Sequence, residues 1–198
     1  MDDVLSYALP KPGEPFDRVK VTVTFLRMLS RPNRPVVSLP VGATLESGPV
    51  SVAEYRKMYA EIGGPWLWWM RRMMPDGLLA RHLAASTLHI SRLMVDGEVA
   101  GFYETDASYW PFVNLNYFGL KEKFIGQGLG RLLLDAAVDS VFFGGSPLRG
   151  MTVNTCTADH PRALPNYKAA GFSVYRSVDE EWDIPTRLGL TIPANLLA

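Results

Sequence analysis

Val19, Val21, Val23 and Phe25 alternate with Lys20, Thr22 and Thr24, the two-residue period of a strand with one buried face. Residues 31–49 carry four prolines and two glycines, which predicts a loop with at most a short extended piece around Val36 and Val37. Ser51-Val52-Ala53-Glu54 then has the form of a capping box, in which each side chain satisfies a free N–H at a helix start. Val52, Tyr55, Tyr59 and Ile62 follow on one helical face, and Gly63-Gly64 closes the helix. Trp66, Trp68 and Trp69 read as a core segment, although such a cluster could also line a groove or serve as a protein-interaction surface.

Two β-patterned runs, Leu88 to Val95 and Glu98 to Glu104, flank Asp96-Gly97, a dipeptide suited to a two-residue hairpin turn because both positions need positive φ. Val113, Leu115 and Tyr117 alternate with Asn114 and Asn116 and lead into a glycine-rich loop. The helix after that loop is apolar except for Arg131, Asp135 and Asp139, so it is packed on more than one side. Met151 to Cys156 reads as a strand, Pro161 to Ala170 as a helix stopped by Gly171, and Phe172 to Tyr175 as the start of another strand. This order predicts a mixed α/β sheet without internal repeats.

Composition narrows the function classes. The 198 residues fit one domain, and a balance of 47% hydrophobic to 20% charged residues is that of a globular protein. Lys plus Arg equals Asp plus Glu at 20 each, so no net field favours nucleic acid or an anionic membrane. No apolar run approaches the roughly 18 residues of a membrane span. The opening MDDVLSYALPKPGEP is acidic and then proline-rich, unlike a signal or transit peptide. The single Cys156 cannot form an internal disulfide, which points to a reducing, cytoplasmic setting. His82, His89 and His160 lack metal-ligand spacing, so no metal site is expected.

Gly126-Gln127-Gly128-Leu129-Gly130 lies between a predicted strand and a predicted helix. A helix N-terminus leaves up to four N–H groups unpaired and carries partial positive charge, and glycines let a phosphate approach them. A P-loop would need Lys-Ser/Thr after the last glycine, where Arg131-Leu132 stands; the dinucleotide fingerprint would need a third glycine at Arg131. A tight strand-to-helix turn without a ligand remains an equal alternative on the loop alone.

The following motif shifts that balance. From Tyr117 to Tyr175 the chain resembles the GNAT superfamily of acetyl-CoA-dependent N-acetyltransferases. Gly128 and Gly130 match the glycines of that family's Arg/Gln-x-x-Gly-x-Gly/Ala loop. His160-Pro161-Arg162-Ala163-Leu164-Pro165-Asn166-Tyr167 followed by Gly171-Phe172 answers its Asn-x-x-Ala-x-x-x-Tyr helix closed by Gly-Phe. Two departures stand out: Ile125 replaces the arginine or glutamine of the loop, and His160 replaces the asparagine.

The resemblance implies an α+β fold with a mostly antiparallel central sheet flanked by helices and splayed between two central strands. It implies one domain over residues 1–198: an acceptor-side region (1–85), an acetyl-CoA-binding core (86–176) and a tail (177–198) apolar enough to dock on its own domain or on a second copy. Phe118, Gly119 and Leu120 would pair with the pantetheine arm, and the Phe118 N–H would face the thioester carbonyl. Gly126, Gln127, Gly128, Leu129, Gly130 and Arg131 would hold the diphosphate, with Gln127 or Arg131 supplying the polar group that Ile125 does not. Asn154 and Asn166 would add polar contacts. Tyr167 would protonate the leaving thiolate. Glu104, at the end of its strand, is the candidate base, or else a solvated carboxylate; Asn114 stands where some relatives carry glutamate. The acceptor would be a primary amine on a small molecule or peptide, and the alternative is a non-catalytic acyl-CoA-binding sensor or scaffold.

Overall fold

The computed structural model describes residues 6–145 and 147–198; the first five positions of the expected acceptor-side region and Ser146 lie outside them. Seven strands, β1 (Phe16–Met28), β2 (Ala43–Ser47), β3 (Leu88–Val95), β4 (Glu98–Asp106), β5 (Phe112–Leu120), β6 (Gly150–Cys156) and β7 (Ser173–Pro185), form one sheet in the order β2-β3-β4-β5-β6-β1-β7. Every neighbouring pair is antiparallel except β5 and β6. Helices α1 (Val52–Gly63), α2 (Met70–Met73) and α3 (Asp76–Leu83) lie N-terminal to the β3–β4 hairpin, and α4 (Leu129–Phe142) and α5 (Ala163–Ala169) flank β6 in the chain. Among the described residues no helix is long and apolar enough to cross a membrane.

Local chemistry sets these elements. Both capping-box bonds of α1 form, with Glu54 N donating to Ser51 Oγ at 3.2 Å and Ser51 N to Glu54 Oε2 at 2.9 Å. Asp96 and Gly97 adopt φ of 49° and 79°, turning β3 into β4. Alternation along β1 places Val19, Val21 and Val23 in an apolar cluster with Leu67, Trp69, Ile184 and Leu196. Leu26 and Met28, beyond a register shift at Phe25, join the larger cluster with Leu133, Leu134, Val138, Met151 and Val153. A third cluster packs Tyr55, Tyr59, Ile62 and Leu79 of α1 and α3 on Ile90 and Phe102.

Several boundaries depart from the sequence expectations. The extended piece falls at β2 rather than at Val36 and Val37, where the chain is irregular. Helix α3 was not anticipated, and the strand expected to start over Phe172 to Tyr175 begins at Ser173 and runs on to Pro185, into the segment expected as tail. The C-terminal residues dock on their own domain: Leu197 bridges Val19, Ala198 N donates to Arg18 O at 2.9 Å, and Leu196 is buried. Trp69 is core, whereas Trp66 and Trp68 are only partly covered.

Two of the polar positions of α4, Asp135 and Asp139, are buried as well, while Arg131 stays exposed. Asp139, 6% exposed, accepts from Arg31 Nε at 2.7 Å, Arg34 Nη1 at 3.1 Å and Val37 N at 3.0 Å, which ties the 31–37 loop onto the helix. Burial alone would raise its pKa, but the two arginines and the amide outweigh burial and hold it below the usual aspartate value. A depressed folded-state pKa means that this stabilisation is full above the unfolded-state value and is lost as pH falls through the folded one. Asp139→Asn is therefore expected to cost about 1.5–3 kcal/mol at pH 7, a fall of roughly 3–12 °C in Tm. In thermal melts from pH 7 to pH 3 the gap between variant and wild type should close as the pH drops. A gap independent of pH would remove the charge from this account.

Candidate functional site

Strands β5 and β6 pair over only four positions, Phe112↔Gly150 to Leu115↔Val153, and then part. The parting begins at a bulge in β5: Glu104 faces Tyr117 and Thr105 faces Leu115, leaving Asn116 as the extra residue. Beyond it the ladder to β4 is antiparallel. Lys121 N donates to Ala100 O at 2.8 Å, which fixes the alternation. By that alternation residues 117, 119 and 121 bond toward β4, while the N–H and C=O groups of Phe118 and Leu120 face the gap left by β6. Gly119 serves differently. A Cβ there would lie 2.6 Å from Ile62 Cγ2 and 3.5 Å from Trp68, so the bare backbone lets α1 and the tryptophan close on the strand.

At one end of this gap stands the glycine loop. Gly128 is the N-cap of α4 with φ of 80°, no side chain caps the helix, and Gly126 has φ of 86°. Among the described residues the backbone N–H groups of 126–130 donate no hydrogen bond; the first amide to do so is that of Arg131, to Gly128 O at 3.2 Å. A Cβ at Gly126 or Gly128 would meet nothing within 4 Å, so the glycines serve backbone conformation and open space rather than packing. The result is a row of unspent donors at a helix N-terminus. The Gln127 side chain turns away, donating to Lys123 O at 2.8 Å. Arg131 lines the cleft with its guanidinium braced by Asp135 Oδ2 at 2.7 Å and Ala169 O at 3.0 Å.

Loop and gap open into one cleft of about 1530 Å³. Of the residues singled out from sequence, it gathers Phe118, Gly119, Leu120, Gly126, Gly128, Gly130, Arg131, Asn154, Asn166 and Tyr167 on its walls; Gln127, Leu129 and Glu104 are not part of the lining. Tyr167 on α5 stands 6.1 Å, ring to ring, from Phe118. Burial and the nearby Asp159 charge push its pKa up, so the hydroxyl stays protonated at neutral pH. Burial, and then the same aspartate, push the Cys156 thiol up to about 12, which leaves it inert as a nucleophile.

Glu104 lies beneath the cleft wall instead of on it. It is fully buried and accepts from Tyr55 Oη at 2.5 Å, Asn116 Nδ2 at 2.9 Å and Arg71 Nη2 at 3.2 Å, with His82 Nε2 at 3.5 Å. Burial acts to raise its pKa, but His82, Arg71, Tyr55 and Asn116 together hold it below the usual glutamate value. The bulge carries this network to the cleft, because it turns both Asn116 and Tyr117 to the same face. Thr152 Oγ1 donates to Asn114 Oδ1 at 2.8 Å, and Asn114 Nδ2 to Asn116 Oδ1 at 2.7 Å. Tyr117 packs edge-on against Tyr59, with centroids 4.9 Å apart, and beside Trp68, also at 4.9 Å.

Sequence reasoning passed over His82 and Asp159 as site residues, favoured the core over a groove for Trp66 and Trp68, and gave Arg71 an acceptor role only as the lesser reading; all five line the cleft. Asn116, also on that wall, gave only its strand alternation as a signal, because a bulge leaves no mark in a single sequence. His160 holds the rim: its ring meets Trp66 edge-on at 4.9 Å, and its Nδ1 accepts from Arg162 N at 3.0 Å. Among the described residues no group of three or more His, Cys, Asp or Glu is placed to hold a metal ion. The arrangement can seat an anion on the loop amides, take an extended polar arm along β5, and present a protonated phenol at the gap.

Residues 52–172 match the family model described as Acetyltransferase (GNAT) family. A GCN5-related N-acetyltransferase from Sphaerobacter thermophilus superposes with a TM-score of 0.61 at 15% identity, over 86% of this chain and 53% of that one. A tandem GNAT protein from the clavulanic acid biosynthesis pathway gives 0.59 at 17% identity, over 88% and 62%. An aminoglycoside acetyltransferase from an uncultured soil metagenomic sample, solved with sisomicin, gives 0.52 at 11% identity, over 65% and 87%. The chain thus spans between about half and two thirds of the length of the first two. No curated protein matches it in sequence.

Proposed function

The chain belongs to the GNAT acetyltransferase family, and from that premise we propose that it is an N-acetyltransferase moving acetyl from acetyl-CoA directly to a primary amine of a small molecule or peptide. The observation that carries this reading is the row of unbonded amides at 126–130, set at the mouth of a gap between parallel strands. When bound, acetyl-CoA supplies an activated acyl group. These amides would hold its diphosphate, and Arg131, on the cleft wall, offers the charge that Ile125 does not.

The backbone of Phe118 and Leu120 would hold the pantetheine arm, and Phe118 N–H would donate to the thioester oxygen. One such donor is worth roughly 3–4 kcal/mol of barrier in other acyl-transfer sites. Tyr167 serves as general acid and is present as the protonated phenol at neutral pH. Asn154 and Asn166 contribute polar contacts on the same wall. Glu104, proposed from sequence as base, is spent on four neighbouring groups and suits a positioning role: it fixes Asn116, and with it the bulge that opens the gap. A reducing cytoplasm accords with an unpaired cysteine and a thioester co-substrate.

Tyr167→Phe is the test. The variant should bind acetyl-CoA by calorimetry as tightly as wild type, while thiol release with an accepted amine slows about 100-fold. Equal turnover would take Tyr167 out of the mechanism. Binding by wild type without thiol release across a broad amine panel would favour the acyl-CoA sensor.

A further inference from the structure

Three carboxylates line the cleft: Asp106, Asp159 and Glu180. Asp106 accepts from Ser108 N at 2.8 Å where β4 ends, on the closed side of the β5–β6 parting. Glu180 accepts from Trp182 Nε1 at 2.8 Å on β7, separated from β6 by β1. Asp159 is placed differently. It follows β6 directly, in the turn into α5, and so belongs to one lip of the gap.

Its carboxylate is anchored through a single oxygen: Oδ2 accepts from Thr155 Oγ1 at 2.6 Å and from Cys156 N at 2.9 Å. The Trp68 indole, also on the cleft wall, lies near enough to favour its charged form. Two oxygens offer about four acceptor positions, so the two donors on Oδ2 leave room for another. The titratable groups facing Asp159 are Tyr167 from α5 and Cys156 from β6; Glu180 of β7 bears on Cys156, and His160 is next in the chain. Among the described residues no lysine or arginine contributes to its ionisation.

The geometry points to Asp159 as the catalytic base of this cleft, receiving the ammonium of a primary amine whose apolar body rests on Trp66 and Trp68. This rests on the transferase reading above and names its acceptor class. Asp159 takes one proton from the ammonium, freeing the nitrogen lone pair to form the C–N bond as the C–S bond breaks. Tyr167 gives its hydroxyl proton to the departing sulfur and is refilled by the second N–H proton. Asp159 later returns the first proton to solvent, so one proton is released per transfer. Burial raises the pKa of Asp159 against its hydrogen-bond donors, which brings the carboxylate closer to the strength a base needs near neutral pH.

A merely structural Asp159 would staple the β6–α5 turn, and the experiment separates the two roles. With aspartate carboxyl carbons labelled with ¹³C, the resonance lost in Asp159→Asn should titrate above the ordinary aspartate value of about 3.9. It should also move when 2-phenylethylamine is added without acetyl-CoA. In thiol-release assays on a panel of 2-phenylethylamine, an amino-acid amide and a dipeptide, Asp159→Asn should lower kcat/KM about 100-fold with calorimetric acetyl-CoA affinity unchanged. The acidic limb of the pH profile should vanish, and Asp159→Glu should restore part of the rate. Thr155→Val removes a donor to the carboxylate, which raises its pKa, so that variant should shift the limb to higher pH. This last shift decides the matter if Asp159→Asn fails to fold.

An amine-insensitive resonance, or a limb unmoved by Thr155→Val, overturns the assignment. Turnover and pH profile retained in Asp159→Asn overturn it too while leaving the transferase reading in place. Wild type inert toward every amine overturns the transferase reading instead, and the carbon resonance still reports whether Asp159 meets an amine.

Discussion

Gly128→Val is expected to weaken acetyl-CoA binding at least 100-fold, about 2.7 kcal/mol, in a protein that still folds. At φ of 80° a β-branched residue costs roughly 1–2 kcal/mol in the left-handed region, and the chain relieves that strain by rotating the peptide planes on either side. Those planes carry the unspent amides of the loop. Because a Cβ at this position would meet nothing within 4 Å, the folded core is not disturbed. Gly13→Val supplies the control: it has φ of 77°, equally open surroundings and a place outside the cleft. Both variants should lose similar stability in denaturant melts, and only Gly128→Val should lose affinity in calorimetry. Equal affinities would mean that the amides do not bear the coenzyme.

The largest effect on stability is expected at Glu104. Replacing it with alanine leaves the Arg71 guanidinium, its side chain only 14% exposed, without the anion it pairs with at 3.2 Å. Removing one partner of a buried pair costs about 3–5 kcal/mol, or roughly 6–20 °C in Tm for a chain of this size. Glu104→Gln keeps the shape and one acceptor and should fall between alanine and wild type. The same variant distinguishes two roles. A positioning residue yields a large loss of stability with turnover reduced through a displaced bulge, measurable as a raised KM for amine. A proton acceptor would yield nearly complete loss of turnover with the melt little changed.

What the sequence made legible was local. The Ser51–Glu54 capping box, the Asp96-Gly97 turn and the glycines before α4 each encode a backbone conformation within a few residues, and each forms as expected. The obscured elements are those that other parts of the chain specify. Five-residue β2, hemmed by Pro40, Gly42 and Gly48, is a strand only because β3 pairs with it. Asp179, Glu180, Glu181 and Asp183 fall in the stretch expected as tail and are strand because β1 places Thr22, Lys20 and Arg18 opposite: Thr22 Oγ1 donates to Asp179 at 2.7 Å and Arg18 Nε to Asp183 at 2.8 Å. The insertion of the first strand between β6 and β7 is long-range topology that no window of sequence contains.

The site divides the same way. Backbone donors at 118, 120 and 126–130 follow from a strand, a loop and a helix in succession, so their positions were readable. Glu104 was expected at the cleft because it ends a strand. The structure buries it because Arg71 and His82, more than 20 residues away in sequence, converge on it. Asp159 went unnoticed for the converse reason, since nothing near it in sequence shows that Trp68 and Tyr167 will close around it.

The central claim is that the open amides of the glycine loop and the unpaired edge of β5 receive acetyl-CoA. Amide correlation spectra of the ¹⁵N-labelled protein, recorded with and without saturating coenzyme A, test it most directly. The account predicts that the resonances of residues 126–130, Phe118 and Leu120 shift most, and that those of β2 and of the far end of β7 stay in place. Loop amides that remain still while the coenzyme binds elsewhere, or spectra unchanged at millimolar coenzyme, would contradict it.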